Sequence, residues 1–379
     1  MNILIAIDSF KGSLSTTQLA DTIEMGIKDV SSDYFIKKIP IADGGEGTYE
    51  TLDQGVGGTK VRVQVKDPLF NNIYAEYGIL NDQTAIIEMA KSSGLTLVPA
   101  NLRNPLNTST FGVGQMIKDA IYKGSRNFII GIGGSATNDA GIGMLSALGY
   151  VFKDESGNEL IPKGSSLSKI KSIDSTFALK ELSECEFLVA CDVDNPLYGE
   201  LGAAYVYGAQ KGASIEDIKE LDYGLQNFSS VIKETTGKNI AFISGSGAAG
   251  GLGGGFLSLL NSKLAPGIDI IFDKFKIIED IKWADMIITG EGRLDFQTIM
   301  GKAPIGVAKI AKQYDIPVIA LAGSITEDAK KGHKHGITSM FSIMDSPMSL
   351  EEAMDEENAK RLIYNKTNEL FRLIKAIKK

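Results

Sequence analysis

Short apolar runs recur along this chain, and each breaks off into glycine, acidic or basic residues. Ile3 to Ile7 leads into Asp8-Ser9-Phe10-Lys11-Gly12, and Phe35 to Ile39 is followed by Ala42-Asp43-Gly44-Gly45-Glu46-Gly47-Thr48. Phe128 to Ile130 opens on Gly131-Ile132-Gly133-Gly134-Ser135-Ala136-Thr137-Asn138-Asp139. Phe187 to Cys191 opens on Asp192-Val193-Asp194-Asn195-Pro196-Leu197. Met286 to Ile288 opens on Thr289-Gly290-Glu291-Gly292-Arg293-Leu294-Asp295. Strands buried on both faces read as continuous apolar runs and belong to parallel sheets. Open α/β sheets bind ligands outside the carboxyl ends of their strands, which is where these polar clusters fall.

Helical patterns lie between the runs. Leu19, Ile23 and Ile27 recur at fourfold spacing after Ser13 and Ser15, either of which can cap a helix there. Pro304 suits a first helical turn, with Ile305, Val307 and Ile310 behind it. Ser349 and Glu352 have the spacing of a capping box at the start of a long closing helix that carries Leu362, Phe371 and Ile377. Strands alternating with helices predict a doubly wound α/β domain with a parallel sheet.

One stretch breaks that rhythm. Val61, Val63 and Val65 alternate with polar residues, and Ile73 to Leu80 and Ala85 to Met89 follow at once, the pattern of a meander. Glu155-Ser156-Gly157-Asn158 reads as the turn of a hairpin over Tyr150 to Leu160. The expected architecture is therefore discontinuous. A Rossmann-like α/β domain comes from residues 1–60 and 283–379, and a second α/β domain with a mixed sheet is inserted at 61–282.

Net charge narrows the ligands. At −8, with an isoelectric point near 5.1, the chain lacks the basic face that sequence-independent nucleic-acid binding needs. Any anionic ligand must meet locally placed cations. The uncharged span Asn239 to Ser262 is long enough to cross a bilayer, but its glycines and serines predict a buried loop and helix instead. No basic region precedes the first apolar run, so the chain is expected to stay in the cytoplasm. Cys185 and Cys191 fit no zinc or disulfide pattern and read as buried thiols. No residue pattern sets an oligomeric state.

The Gly131 loop runs from a strand toward a helix expected over Ala140 to Leu148, so its N–H groups and the helix dipole can cradle phosphate. Gly245 to Gly251 is a second glycine-rich loop. Read alone, the Gly131 loop favours phosphate over a tight structural turn, whereas the Gly245 loop fits either. Lys11, Arg293 and Lys302 lie in or just after the clusters, where transferring phosphate needs neutralisation. Asp43, Glu46, Asp192, Asp194, Glu291 and Asp295 offer hard oxygens for Mg²⁺, and one carboxylate should accept a proton from a substrate hydroxyl. Asp192 is the preferred base, because it ends an apolar run and Pro196 fixes the turn that follows.

Several familiar machineries are absent. No Walker A loop exists; near Gly301-Lys302, Phe296 replaces the leading glycine and Ala303 the Ser/Thr. No dinucleotide fingerprint follows the first strand. His333 and His335 flank a lysine in a polar segment and read as solvated, which disfavours hydride transfer and histidine-dependent hydrolysis.

Across nearly its whole length the sequence resembles the bacterial-type glycerate kinases that form 2-phosphoglycerate. The resemblance rests on Asp8 to Gly12, Ala42 to Thr48, Gly133 to Asp139, Asp192-Val193 with Asn195-Pro196-Leu197, and Gly247 to Gly251. It extends to Thr289 to Gly292 with Asp295, Gln297, Thr298, Gly301 and Lys302. It departs at Phe296, where a small residue is expected. The resemblance implies two α/β domains with the site in the cleft between them, ATP and Mg²⁺ as cosubstrates and D-glycerate as acceptor. Carried onto this chain, Asp192, Lys11, Asp8 and Arg293 are expected to be catalytic. Gly133, Gly134, Ser135, Thr137, Asn138, Gly247 and Gly250 are expected to hold the nucleotide. Ser9, Asp43, Gly44, Glu46, Asn195 and Lys302 are expected on the substrate, and Glu291 and Asp295 on the metal. A kinase of the same fold for another small hydroxy acid would carry like motifs, and a non-catalytic nucleotide sensor would be expected to lose carboxylates or Lys11.

Overall fold

The computed structural model describes residues 1–41, 57–299 and 301–377. In chain order the strands are β1 (Asn2–Ile5), β2 (Phe35–Lys38), β3 (Gly58–Lys66), β4 (Asn72–Leu80), β5 (Ala85–Glu88), β6 (Asn127–Gly131), β7 (Val151–Lys153), β8 (Ser172–Asp174), β9 (Glu186–Ala190), β10 (Ser262–Ala265), β11 (Met286–Leu294), β12 (Val318–Ile325) and β13 (Ser339–Ser342). Two compact units emerge, one of Met1–Asp43 with Ile268–Lys379 and one of Gly44–Gly267.

The first unit is built on a parallel sheet in the order β2-β1-β11-β12-β13. Numbered within the unit, that is 2-1-3-4-5, a doubly wound order whose connections diverge between β1 and β11 and open a crevice at their carboxyl ends. The side-chain period of two explains the layering. Ile3, Ile5 and Ile7 pack on one face with Leu19, Ile23, Leu362 and Phe371, while Leu4 and Ala6 pack on the other with Phe272, Ile305 and Val307. Each of the larger side chains among them contributes about 1.5–3 kcal/mol on burial.

Helix Thr16–Lys28 starts at Ser15, not Ser13: the Ser15 hydroxyl accepts from Gln18 N–H and the Gln18 side chain accepts from Ser15 N–H. Such a cap contributes ~1 kcal/mol. Pro304 does lie in the first turn of helix Ala303–Lys312. The Ser349 capping box also forms, but the closing helix is two, Leu350–Met354 and Glu356–Ile377. Asp355 breaks it with an extended backbone, and its carboxylate then accepts from Asn358 N–H.

The second unit holds a mixed sheet in the order β10-β9-β6-β5-β4-β3, around one hydrophobic core. The expected meander is β3–β4–β5, antiparallel, and β5, β6, β9 and β10 run parallel. The turn at 155–158 closes through Asp154 N–H to Asn158 O and Leu160 N–H to Phe152 O. The strand partner of β7 is nevertheless β8, more distant in sequence. Asn239 to Ser262 forms a loop and the helix Ala248–Leu259, and among the described residues no helix is long and apolar enough to cross a membrane.

The second domain boundary expected at 282/283 falls instead at 267/268. Helices Gly267–Phe275 and Ile277–Trp283 bury Ile268, Phe272, Ile277 and Ile281 among Leu4, Ile287 and Val307, so they belong to the parallel-sheet unit. The first boundary, expected at 60/61, falls at Asp43–Gly44.

Candidate active site

In the first unit, Asp8 N–H donates to Gly290 O at 3.0 Å, joining the ends of β1 and β11. On its other side β11 approaches β12 so closely that a Cβ on Gly290 would lie 1.9 Å from Leu321 O. The Asp8 carboxylate is buried and accepts from Ser9 N–H at 2.6 Å and from the Ser9 hydroxyl at 3.3 Å. Phe10 and Leu14 then exchange backbone hydrogen bonds around Gly12, whose φ of 80° allows the tight turn that leaves Lys11 exposed.

Beyond Gly290, Glu291 is buried and accepts from the Thr298 hydroxyl, with the Lys302 ammonium 4.0 Å from its other oxygen. Arg293 Nε lies 3.6 Å from Asp295 Oδ2, and Thr298 Oγ1 accepts from Asp295 N–H at 3.0 Å. Asp8, Lys11, Glu291, Arg293, Asp295 and Lys302 line one pocket of about 580 Å³. Cations and carboxylates thus share one opening.

Asp8, Glu291 and Asp295 are the carboxylates that line this pocket. Among the described residues no group of three acidic, histidine or cysteine side chains could hold a metal alone. Hard carboxylate oxygens in that small number fit Mg²⁺, which usually takes one or two carboxylates together with phosphate and water.

The second unit holds the other clusters. Gly133 and Gly134 are exposed, and the N–H groups of Gly133, Gly134 and Ser135 donate to no acceptor among the described residues. The helix behind this loop is shorter than expected, Ile142–Ala147, because Ala140 and Gly141 take left-handed conformations. Its first turn is already capped. The Asp139 carboxylate accepts from Gly141 N–H at 3.1 Å, Gly143 N–H at 3.2 Å, and both Thr110 N–H and the Thr110 hydroxyl at 2.8 Å. The helix end is therefore closed to phosphate, and only the loop's own N–H groups remain for it. Burial pushes the Asp139 carboxyl above its ordinary range, against the pull of those donors.

Thr137 and Asn138 are fully buried, so the accessible part of the loop is narrower than the sequence suggested. Their side-chain polar atoms have no hydrogen-bond partner among the described residues. Beneath them the buried Lys211 ammonium donates to Thr137 O at 2.7 Å, and burial pulls its pKa down to about 7 against the attraction of Asp139. Gly247 and Gly250 are also buried. A Cβ on Gly250 would lie 2.0 Å from Thr137 O, and one on Gly247 2.1 Å from Pro196 O, so backbone packing accounts for both glycines. Ala140 N–H donates to Gly250 O at 3.0 Å and locks the two loops together.

Asp192 is exposed, with one oxygen accepting from Gly267 N–H at 3.0 Å. The Asn195 amide is used as a strut: it donates to Leu201 O at 2.8 Å and accepts from the Tyr207 hydroxyl at 2.6 Å. Asp194 accepts from the Ser244 hydroxyl.

Residues 3–375 match the glycerate kinase family. The chain belongs to that family. It is 47% identical over 355 residues to a glycerate kinase of Halalkalibacterium halodurans, with 93% of each chain covered. It is 45% identical over 354 residues to the glycerate 2-kinase of Escherichia coli K12, again with 93% of each covered. A crystal structure described as glycerate kinase 2 from Salmonella typhimurium LT2 superposes with a TM-score of 0.91 at 42% identity, covering 100% of this chain and 99% of that one. Glycerate kinases are phosphotransferases, and the parallel-sheet and mixed-sheet units are the fold this family shares with that structure.

In this glycerate kinase family member, the first unit gathers Asp8, Ser9, Lys11, Glu291, Arg293, Asp295 and Lys302 from two distant parts of the chain. The second holds Asp192, Asn195 and the glycine loops. Asp43, Gly44 and Glu46 lie outside the described residues. His333 is exposed, and its Nδ1 pairs with Ile337 O at 2.9 Å. Lys211 and the apolar pocket residues Met344, Met348 and Met354 went unread in the sequence. The signal for the methionines was positional: they follow β13 at the same sheet edge as the charged clusters.

Proposed function

We propose that the protein transfers the γ-phosphoryl group of ATP to the 2-hydroxyl of D-glycerate, giving 2-phosphoglycerate by direct in-line displacement with Mg²⁺. The observation that carries this reading is the ring of cations and carboxylates at the carboxyl ends of β1 and β11 in a chain of the glycerate kinase family.

Lys11, Arg293 and Lys302 neutralise the oxyanions of the transferring group and of the acceptor carboxylate. Ser9 and Asp8 orient the acceptor, Asp8 being fixed by its bonds from Ser9. Asp192, held by Gly267 N–H, takes the proton from the 2-hydroxyl as its oxygen attacks phosphorus and the bridging oxygen leaves with ADP. The N–H groups at Gly133, Gly134 and Ser135 receive phosphate oxygens, while Thr137, Asn138, Gly247 and Gly250 keep that loop in shape. Glu291 and Asp295 would hold Mg²⁺, which supplies charge neutralisation on the phosphates when bound. Asp43, Gly44 and Glu46 complete the acceptor site.

Incubation with ATP, Mg²⁺ and D-glycerate, followed by phosphorus NMR of the product, tests this directly. Phosphate on C2 couples to a single carbon-bound proton and gives a doublet. A triplet would place it on C3, and no product would refute the activity.

A further inference from the structure

The pocket of the first unit is larger and more apolar on one side than a hydroxy acid requires. Its charged side comes from the turns after β1 and β11. Its other side comes from the segment after β13, with Ile343, Met344, Met348, Leu350 and Met354, together with Phe10. Leu350 is 76% exposed, Met354 36%, and Met344 and Met348 are half-buried. Three of the chain's 11 methionines are thus crowded into one short segment beside a phosphotransferase site.

Glycerate, a short acid with a carboxylate and two hydroxyls, has no face to cover such a wall. The purine of ATP has. Its rings are flat and polarisable, and thioether contacts with an aromatic ring contribute about 0.3–1.5 kcal/mol each. Unbranched methionines also adapt their shape to a planar guest. The location agrees: the pocket opens at the switch point of a sheet in the 2-1-3-4-5 order, where a doubly wound domain of this order holds a flavin nucleotide. A volume of about 580 Å³ is within the range of organic ligand sites. An apolar wall beside a cationic floor complements a ligand with a base at one end and phosphate at the other.

We propose that the wall formed by Met344, Met348, Leu350 and Met354 is the nucleoside subsite and takes the purine base of ATP. The proposal rests on the reading that this chain uses ATP, and it places the base within the first unit's own pocket, beside the Lys11, Arg293 and Lys302 to which that reading gives the transferring phosphoryl group.

The test is Met348→Glu, with Met344→Glu as a second lesion and Met348→Leu as the conservative control. Melting temperature checks that each variant folds. Calorimetric titration with ADP and with adenosine reads the subsite without turnover, and steady-state kinetics reads each substrate separately. The expected result is loss of adenosine binding and a rise in KM for ATP of about tenfold or more, with KM for glycerate within about twofold and Met348→Leu near wild type. Unchanged adenosine affinity in both glutamate variants overturns the subsite. A rise in KM for glycerate alone does so too, by assigning the wall to the acceptor. Wild-type protein that binds neither ADP nor adenosine overturns the ATP reading itself, a failure distinct from the first two.

Discussion

Replacing Lys211 with methionine should change how the stability of this protein responds to pH. Lys211 is fully buried, its ammonium donating to Thr137 O at 2.7 Å, and burial holds its pKa near 7 instead of 10.5. Below that pH the group is protonated in both folded and unfolded chains, and the burial penalty is felt in full. As pH rises from about 7 toward 10.5 the folded form gives up a proton that the unfolded form keeps, so stability rises with pH over that window. The slope reaches at most ~1.4 kcal/mol per pH unit, and integration from about pH 6 to about pH 9 gives about 2.6 kcal/mol. Asp139 acts in the opposite sense: its raised pKa contributes stability at low pH that is lost as pH climbs through its folded value, and the variant keeps that group. Loss of the donor to Thr137 O adds a pH-independent cost of about 1–3 kcal/mol. Urea titrations followed by circular dichroism, with the second unit's transition fitted separately, measure both proteins across the range. The wild-type curve should climb relative to Lys211→Met by the stated amount; parallel curves would refute the buried-ammonium argument.

Three further outcomes bear on the chemistry. Lys11→Ala should lower turnover by about 10²–10³-fold, as removal of one electrostatic stabiliser does, and near wild-type kinetics would reduce Lys11 to a surface charge. Asp192→Asn should lose kcat with little change in ATP or Mg²⁺ affinity, whereas Glu291→Gln should weaken apparent Mg²⁺ affinity and recover partly at high metal; the opposite pattern would exchange their roles. In Gly134→Val the new Cβ meets only Ala90 Cβ, at 3.5 Å, so the cost is the φ of 74°, on the order of 1–2 kcal/mol, and the fold should survive while nucleotide binding is lost. Normal nucleotide affinity in that variant would remove the loop from the site.

The doubly wound unit was legible because β1, β11 and β12 are buried on both faces, and an uninterrupted apolar run is the direct imprint of that burial. β3 was legible for the opposite reason, since Val61, Val63 and Val65 alternate with more exposed polar residues, whereas β5 at the inner end of the meander is buried throughout. Helices Gly267–Phe275 and Ile277–Trp283 were assigned to the wrong unit because the composition does not change at 267, and only packing of Phe272 and Ile281 against Leu4 decides the matter. The charged half of the pocket announced itself through glycine and carboxylates bunched at strand ends. Its methionine half did not, since a methionine following a strand looks like any core residue until its exposure is known. The glycines of the 245–251 loop were expected at the nucleotide; what the fold itself requires of them, room beside Thr137 O and Pro196 O, depends on contacts between residues far apart in the chain and left no mark in the sequence.

The pairing of β1 with β11 also sets a schedule for synthesis. Ile3, Leu4 and Ile5 are all completely buried, yet their partners on β11 are Met286, Ile287 and Ile288, and Leu362 and Phe371 cover the same face later still. On the ribosome, the continuous segment 44–267 emerges whole in between and can close its core while β1 has only β2 beside it. During that interval an apolar strand waits with one edge unpaired, the state in which nascent chains are most prone to associate and chaperones are most needed. A chain halted before Met286 would therefore carry a finished mixed-sheet unit and an unfinished charged pocket.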